Sequence, residues 1–353
     1  MADGRTGLVV ALQANYCWVE LDEPGPGDCR RLLCTRRTRL SKTGQTICVG
    51  DRVQVDGIDW AAARGAVAQR LPRHSLLQRP AVANVSRVVV VVSLAEPPLD
   101  PDQLTRFLIT AEATGQPVLL VLSKADRLPQ EIVALWCGRL RCWGYEPLVT
   151  SAQRGLGLEQ LRAELGRPGI AVLCGPSGVG KSSLLNGLRP DLQLRVAAVS
   201  GRLQRGRHTT RHVELFAVAP GALLADTPGF NRPQLPGDPA ALALLFPELR
   251  QRLGEARCLY ADCLHLGEPG CAVGSDWDRY GLYSRCLADL QEEQAGFRRT
   301  GPGAIDAGRD DEAGLRRRGD RLEPRLAPAW RQPSRRRQRQ RLSSPDLADS
   351  DHP

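Results

Sequence analysis

The stretch Gly175-Pro176-Ser177-Gly178-Val179-Gly180-Lys181-Ser182 constrains the fold of this chain more than any other feature. It fits the spacing GxxxxGK[ST], and Ser183 follows it directly. Residues 170–174 before it are a continuous apolar run, as expected of a buried strand. Residues 183–188 behind it have the pattern of the first turns of a helix. A glycine-bearing turn between a strand and a helix lets the backbone fold around phosphate oxygens. The N–H groups at the helix start then point at them. In this phosphate-binding loop, or P-loop, Lys181 reaches the β- and γ-phosphates and the Ser182 hydroxyl ligates Mg²⁺. The loop does not say which nucleotide is held, or for what purpose.

The base is read earlier in the chain. Residues 118–122 form a second apolar, β-branched run, which ends in Ser123-Lys124-Ala125-Asp126. This resembles the guanine-specificity motif of GTPases, written NKxD or TKxD, with Ser123 where Asn or Thr is usual. The Asp126 carboxylate accepts from both N1–H and N2–H₂ of guanine, a donor pair that adenine lacks. The stem of Lys124 covers the ring face. Thr150-Ser151-Ala152 ends a third strand-like stretch and resembles the small-residue loop whose backbone N–H meets guanine O6.

On the magnesium side, residues 222–225 suggest a strand closed by Asp226-Thr227-Pro228-Gly229. This matches the DxxG element: Asp226 holds Mg²⁺ through water, and the Gly229 N–H meets the γ-phosphate. The order of these motifs is circularly permuted, because the base-reading elements precede the P-loop. Permutation leaves the site intact, since every loop lies at the carboxyl end of a parallel strand. Phe230 stands where Ras-type enzymes carry a water-orienting Gln. The polar, basic segment 201–210 has the character of a switch loop. Thr209 or Thr210 could close on Mg²⁺, and His208 could orient or deprotonate water.

A separate cluster is Cys258-x4-Cys263-x-His265-x5-Cys271, set among turn residues. Three thiolates and one imidazole match a tetrahedral zinc site with no open position, hence a structural one. Disulfides are not expected. The cysteines number eleven, no signal-peptide core stands near the start, and no run approaches the ~20 apolar residues of a membrane span. The expected compartment is reducing, the cytoplasm, where clustered cysteines bind metal. The remaining cysteines, Cys17, Cys29, Cys34, Cys48, Cys137, Cys142, Cys174 and Cys286, are expected to pack as small apolar residues.

The expected fold class is multidomain α/β. Residues 1–78 hold five short runs separated by turn clusters and suggest an OB-type β-barrel that binds RNA, with Trp18 and Trp60 either ligand contacts or core. Residues 79–235 alternate strand and helix patterns and would form the circularly permuted GTPase domain. Residues 236–300 would form a zinc-binding helical domain, with helix expected over 276–298. From 301 to 353, Gly, Pro, Arg and Asp dominate and a disordered tail is expected. Its run from Arg331 to Arg341 carries six arginines and no acid, and either touches RNA phosphates or keeps the chain soluble. The net charge of +9 suits a polyanionic partner.

Taken in order, SKAD, SA, GPSGVGKSS, GRHTT, DTPG and the Cys₃His cluster behind a five-stranded barrel resemble the small-ribosomal-subunit-dependent GTPase family RsgA, also called YjeQ or YloQ. Gly50-Asp51-Arg52-Val53, Arg79-Pro80, Ala83-Asn84-Val85 and Phe246-Pro247-Glu248 agree, over about residues 7–298. The resemblance implies a cytoplasmic GTPase that binds the 30S subunit and its 16S rRNA, is stimulated by it and acts in its late maturation. It implies GTP, GDP and Mg²⁺ as ligands, one structural Zn²⁺, and His208 as the catalytic residue beside Lys181 and Thr209. A monomer is expected. Two other classes are open to such a chain: a P-loop ATPase or kinase, opposed by SKAD, and a non-hydrolysing RNA-binding protein, opposed by the intact Lys181, Ser182 and Asp226.

Overall fold

The computed structural model describes residues 4–13, 15–36, 46–78, 81–188, 213–226, 233, 235–300, 315–318 and 321–324. The first five strands are β1 (Arg5–Gln13), β2 (Tyr16–Gly25), β3 (Cys29–Arg36), β4 (Arg52–Asp59) and β5 (Arg64–Arg70). They pair in the order β1-β2-β3-β5-β4, and β4 returns to β1, so the sheet closes. The β3–β5 pair is parallel and the others antiparallel, which is the OB-type arrangement. Alternation along each strand fills the interior with Val9, Cys17, Val19, Leu32, Cys34, Val53, Val55 and Val67. Trp18 and Trp60 are partly buried against the cores.

A short hairpin follows, β6 (Leu76–Gln78) with β7 (Ala81–Ala83), and then the nucleotide-type sheet. Its strands are β8 (Val85–Ser93), β9 (Val118–Ser123), β10 (Leu148–Val149), β11 (Gly169–Cys174), β12 (Glu214–Ala219) and β13 (Ala222–Asp226). They lie in the order β10-β9-β8-β11-β13-β12, parallel except for β12. The apolar run in β8, Val88 to Val92, is buried on both faces, as a central parallel strand requires. The chain turns back between β8 and β11, and this is the topological switch point where such sheets bind ligands. Around the sheet lie α1 (Pro101–Glu112), α2 (Gln130–Cys142), α3 (Leu158–Leu165) and α4 (Lys181–Leu188). Asp100 caps α1 by accepting from the Asp102 N–H.

The C-terminal helices are α5 (Pro239–Leu242), α6 (Pro247–Glu255) and α7 (Tyr280–Thr300). Leu242, Phe246, Leu249, Tyr283, Leu287 and Leu290 form their core, and Ile109 of α1 enters it. A fully buried arginine holds this contact. Arg279 pairs with Glu248, with Nε to Oε1 at 2.6 Å, and its guanidinium carbon lies 4.6 Å from the ring centres of both Trp143 and Phe246. Beside it Asp278 accepts from Arg139 Nε and Trp143 Nε1, each at 2.6 Å. Glu112 accepts from Tyr145 Oη at 3.0 Å and from Arg250 Nη1 at 2.6 Å. The C-terminal helices are therefore seated on α1, α2 and the turn after α2.

In the 301–353 segment, for which no structure was expected, the described residues form a two-stranded ladder of β14 (Leu315–Arg318) and β15 (Arg321–Pro324). Met1–Leu290 and Gln291–Pro353 are separate compact units. No helix among the described residues is long and apolar enough to cross a membrane. All eleven cysteines are free. Six of the eight outside the Cys/His cluster are buried and Cys29 packs half-buried against the barrel core, but Cys142 is exposed and corrects the expectation that all eight pack as small apolar residues. Cys142 ends α2 on its outer face, where no core reaches it.

The barrel joins the sheet through the antiparallel pair of β1 with β12, Ala11 opposite Glu214, and a buried charge braces the linker that follows the barrel. Asp51 is wholly buried and accepts from Arg73 Nε at 2.6 Å, Arg73 Nη2 at 2.8 Å and the Cys48 N–H at 2.7 Å. Next to it Gly50 has φ +86°, and a Cβ there would stand 2.1 Å from the Ala83 carbonyl oxygen. Asn84 closes the joint, donating to the Gly50 carbonyl at 2.8 Å. Asp51→Ala should destabilise the chain by about 3 kcal/mol, because the Arg73 charge is left without its partner. Urea unfolding of the variant should show this loss; an unchanged midpoint would contradict the role given to the pair.

Candidate functional site

Strand register brings the sequence motifs to one level. Val90 of β8 pairs with Cys174 of β11, and Val172 of β11 with Ala225 of β13. On the other side Ser93 pairs with Ser123, and Leu122 with Val149. The segments starting at Ser123, Thr150, Gly175 and Asp226 thus all leave the sheet at its carboxyl edge. They were read as one site although they span more than a hundred residues of chain, and the fold brings them to one edge.

The P-loop takes the shape its glycines permit. Gly175 has φ +137°, and a Cβ would lie 2.0 Å from the Val91 carbonyl oxygen, so only glycine lets the loop pass this close to β8. Gly178 and Gly180 also have positive φ, of 81° and 92°. Lys181, the first residue of α4, folds back over the loop and donates to the carbonyls of Gly175 at 2.8 Å and Pro176 at 2.7 Å. Ser182 and Ser183 follow in the first turn, half-buried, while Ser177 at the loop tip is exposed and Val179 is buried. The start of a helix of this kind directs N–H groups and a positive dipole end at an anion.

The base-reading segment is fastened to that loop. Ser123 is buried, and its hydroxyl lies 2.5 Å from the Val179 carbonyl oxygen and 3.1 Å from that of Val92. Lys124 adopts the left-handed conformation, φ 55°. Its ammonium donates to the Gly178 carbonyl at 2.8 Å and to the Glu96 carbonyl. Burial pushes the Lys124 pKa down, and Arg127 adds to this, while Glu96 and Asp126 oppose it. The Glu96 carboxylate in turn pairs with Arg127. Sequence reasoning missed Glu96; its only local signal is the Glu-Pro-Pro turn after β8.

Asp126 lies in the single helical turn Ala125–Arg127, half-buried. Among the described residues no donor is given to its carboxylate. The adjoining loop is locked from beneath, as Thr150 donates to the Leu122 carbonyl from both N, at 2.7 Å, and Oγ1, at 3.0 Å. The Ala125 N–H returns to the Thr150 carbonyl at 3.1 Å. Ser151 is fully engaged, its N–H with the Leu156 carbonyl and its Oγ with the Arg154 N–H. That leaves Ala152 as the residue of the pair with a backbone N–H to offer.

The γ-phosphate side is less complete. Asp226 ends β13 beside Glu214 of β12. Gly229, Phe230, His208, Thr209 and Thr210 lie outside the described residues, as do Arg79 and Pro80.

The Cys/His cluster is a distinct site on the loop between α6 and α7. The ligand atoms of Cys258, Cys263, His265 and Cys271 all lie within 4.8 Å of one another. His265 Nδ1 is 3.5 Å from the sulfurs of Cys258 and Cys263 and 3.6 Å from that of Cys271. Tetrahedral zinc with Zn–S of about 2.3 Å and Zn–N of about 2.0 Å sets S and N roughly 3.6 Å apart, so the four residues fit the ion. His265 reaches this position with φ 61°. Glu268, not singled out in the sequence, stiffens the loop by accepting from the N–H groups of Leu264 at 2.9 Å and Leu266 at 2.7 Å.

Comparison with known proteins agrees with this geometry. The family model described as RsgA GTPase matches residues 70–236. The chain is 59% identical over 284 residues to the small ribosomal subunit biogenesis GTPase RsgA of Synechococcus sp. (strain CC9605), covering 80% of this chain and 93% of that protein. It is 47% identical over 338 residues to the protein of the same name from Thermosynechococcus vestitus, covering 96% of this chain and 95% of that one. Among solved structures it is similar to YjeQ from Thermotoga maritima, with TM-score 0.68 and 29% identity over 82% of this chain and 99% of that one. It is also similar to YloQ, a circularly permuted GTPase, with TM-score 0.66 and 27% identity over 82% of this chain and 96% of that one.

The Ser123 contacts make a specific demand on the site. Ser123→Ala removes the one hydroxyl proton, leaving the nearer acceptor, the buried Val179 carbonyl, short of its donor at a cost of about 1–3 kcal/mol, and loosens the P-loop against β9. Nucleotide affinity should fall about tenfold, and Ser123→Thr, which keeps the hydroxyl, should restore most of it. Equal affinity for alanine and wild type in a titration would show that the contact does not support binding.

Proposed function

This chain belongs to the RsgA GTPase family, and on that premise we propose how its own residues serve the enzyme. It is a GTP-hydrolysing enzyme of small ribosomal subunit biogenesis. The observation that carries the residue-level reading is the fastening of the base-reading segment to the P-loop through Ser123 and Lys124. A guanine held at one end fixes the phosphates at the other.

In this reading Asp126 accepts from guanine N1–H and N2–H₂, the Lys124 stem lies along the ring, and the Ala152 N–H donates to O6. Residues 175–183 wrap the phosphates with their N–H groups, Pro176 excepted, and Lys181 leaves its loop carbonyls to meet the β- and γ-oxygens. Ser182 and Asp226 would hold Mg²⁺, with Thr209 or Thr210 closing over it. When bound, the ion neutralises charge on the β- and γ-phosphates. The Gly229 N–H would meet the γ-phosphate. His208 orients the attacking water, because Phe230 cannot. Attack at the γ-phosphorus breaks its bond to the β–γ bridging oxygen and yields GDP and phosphate.

The partner is the 30S subunit with its 16S rRNA, and the step is late in subunit maturation. The OB-type barrel within residues 1–78 and the positive net charge favour contact with RNA phosphates. Residues 79–235 do the chemistry. Residues 236–300 carry one structural Zn²⁺ on Cys258, Cys263, His265 and Cys271, and a four-ligand site has no open position for a reaction. The chain works as a monomer in the cytoplasm. GTP favours the bound state and GDP release.

Three outcomes are expected. Asp126→Asn turns an amide N–H₂ toward guanine's donors, so GTP affinity should drop and xanthine nucleotides should gain; competition binding decides it, and undiminished GTP affinity would remove Asp126 from the site. Elemental analysis should find one zinc per chain, lost in Cys263→Ser together with order in the 258–271 loop, while turnover of the isolated protein changes less than subunit binding. Finally, GTP turnover should be slow alone and rise with purified 30S subunits. His208→Ala should lose most of the rise and keep GTP and subunit binding. No stimulation of the wild type would sink the ribosomal assignment, and full stimulation of the variant would sink the histidine's role.

A further inference from the structure

Glu96 grips the base-reading turn at two points without belonging to it. It stands in the turn after β8, which the Ser93 hydroxyl stiffens by donating to the Ala95 carbonyl at 3.0 Å and accepting from the Ala95 N–H at 3.2 Å. From there the Glu96 carbonyl accepts from the Lys124 ammonium, and the Glu96 carboxylate pairs with the Arg127 guanidinium. Lys124 and Arg127 are the two ends of one helical turn, closed by the Arg127 N–H on the Lys124 carbonyl at 3.1 Å. Asp126 lies between these two held residues. One side chain outside the motif thus spans the whole of it.

Reading guanine places a geometric demand on Asp126. Its carboxylate must accept from N1–H and N2–H₂ together, so its angle matters as much as its distance. A turn gripped only at Lys124 is free to pivot about that residue. The pair to Arg127, at the far end, removes the pivot. Water reaches this pair, with Glu96 77% and Arg127 36% exposed. An ion pair so exposed adds little to folding and is weakened by salt. Its effect therefore falls on the aim of Asp126 and not on the stability of the chain.

We propose that Glu96 is a positioning residue for guanine selectivity, holding the turn through Arg127 so that Asp126 meets both donors of the base. The inference rests on the guanine-reading role proposed for Asp126. Competition binding of GTP against ITP, whose base lacks the 2-amino group, tests it, because the ratio of the two affinities reports on the N2–H₂ contact alone. In Glu96→Gln the preference for GTP over ITP should fall about threefold at low salt. The charge-swapped pair Glu96→Arg, Arg127→Glu should restore it. In about 1 M NaCl the unmodified chain should lose preference toward the level of Glu96→Gln. A merely structural role would weaken GTP and ITP alike and leave the ratio where it was. An unchanged ratio in Glu96→Gln, or a swapped pair no more selective than Glu96→Gln, would overturn the role of Glu96 and leave Asp126 in place. Equal binding of GTP and ITP by the unmodified chain would overturn the reading of Asp126 and this inference with it.

Discussion

The hydroxyl of Ser123 and the ammonium of Lys124 hold together, by hydrogen bonds, two loops more than fifty residues apart in the chain. Between them they reach the carbonyls of Val179, Gly178, Val92 and Glu96, so the P-loop, the base-reading turn and the segment after β8 move as one body. Each contact is an ordinary hydrogen bond of modest net worth, but three of these acceptors lie where water is scarce. An acceptor left unmade there costs more than the bond returns. The close approach of Gly175 to β8 is the other half of this constraint, because the loop can be reached by Lys124 only when it lies this low on the sheet edge.

A second fastening governs what the enzyme can communicate. The C-terminal helices rest on α1, α2 and the turn holding Trp143 and Tyr145, with Arg279 enclosed by rings and neutralised by Glu248. Burying a guanidinium is favourable only when charge, hydrogen bonds and aromatic faces compensate its lost hydration. Here Glu248 takes Nε and Nη2 and the rings cover the guanidinium, while the buried Nη1 keeps no hydrogen-bond partner among the described residues. The helix that receives the C-terminal helices, α2, begins just after Asp126. The segment around Asp126 and the C-terminal helices thus share α2 as a common support.

Much of this was legible in the chain. The P-loop, SKAD and Cys₃His spacings are local patterns whose chemistry needs few residues in a fixed order. The five barrel strands announce themselves by alternation and turn residues, and the buried strands β8, β9 and β11 by unbroken apolar runs. The circular permutation follows from motif order alone. What the helical pattern could not tell was which cysteines of one element are buried: Cys137 and Cys142 both belong to α2, yet one is buried in the core and the other exposed.

The sequence by itself therefore supplied the chemistry proposed for the site: which side chains would read guanine, cradle phosphate and hold a metal ion. Tertiary structure alone decided how those groups are braced. Lys124 on Gly178, Arg279 between Trp143 and Phe246, and Asp51 on Arg73 join residues 54, 136, 33 and 22 positions apart. No local pattern encodes such pairs, since burial and partner are set only when distant elements pack. Leu259 and Leu266 of the metal loop, both exposed, were undecided for the same reason. An apolar residue in a turn-rich segment goes inward or outward according to the core it meets, and that core is assembled from helices elsewhere in the chain.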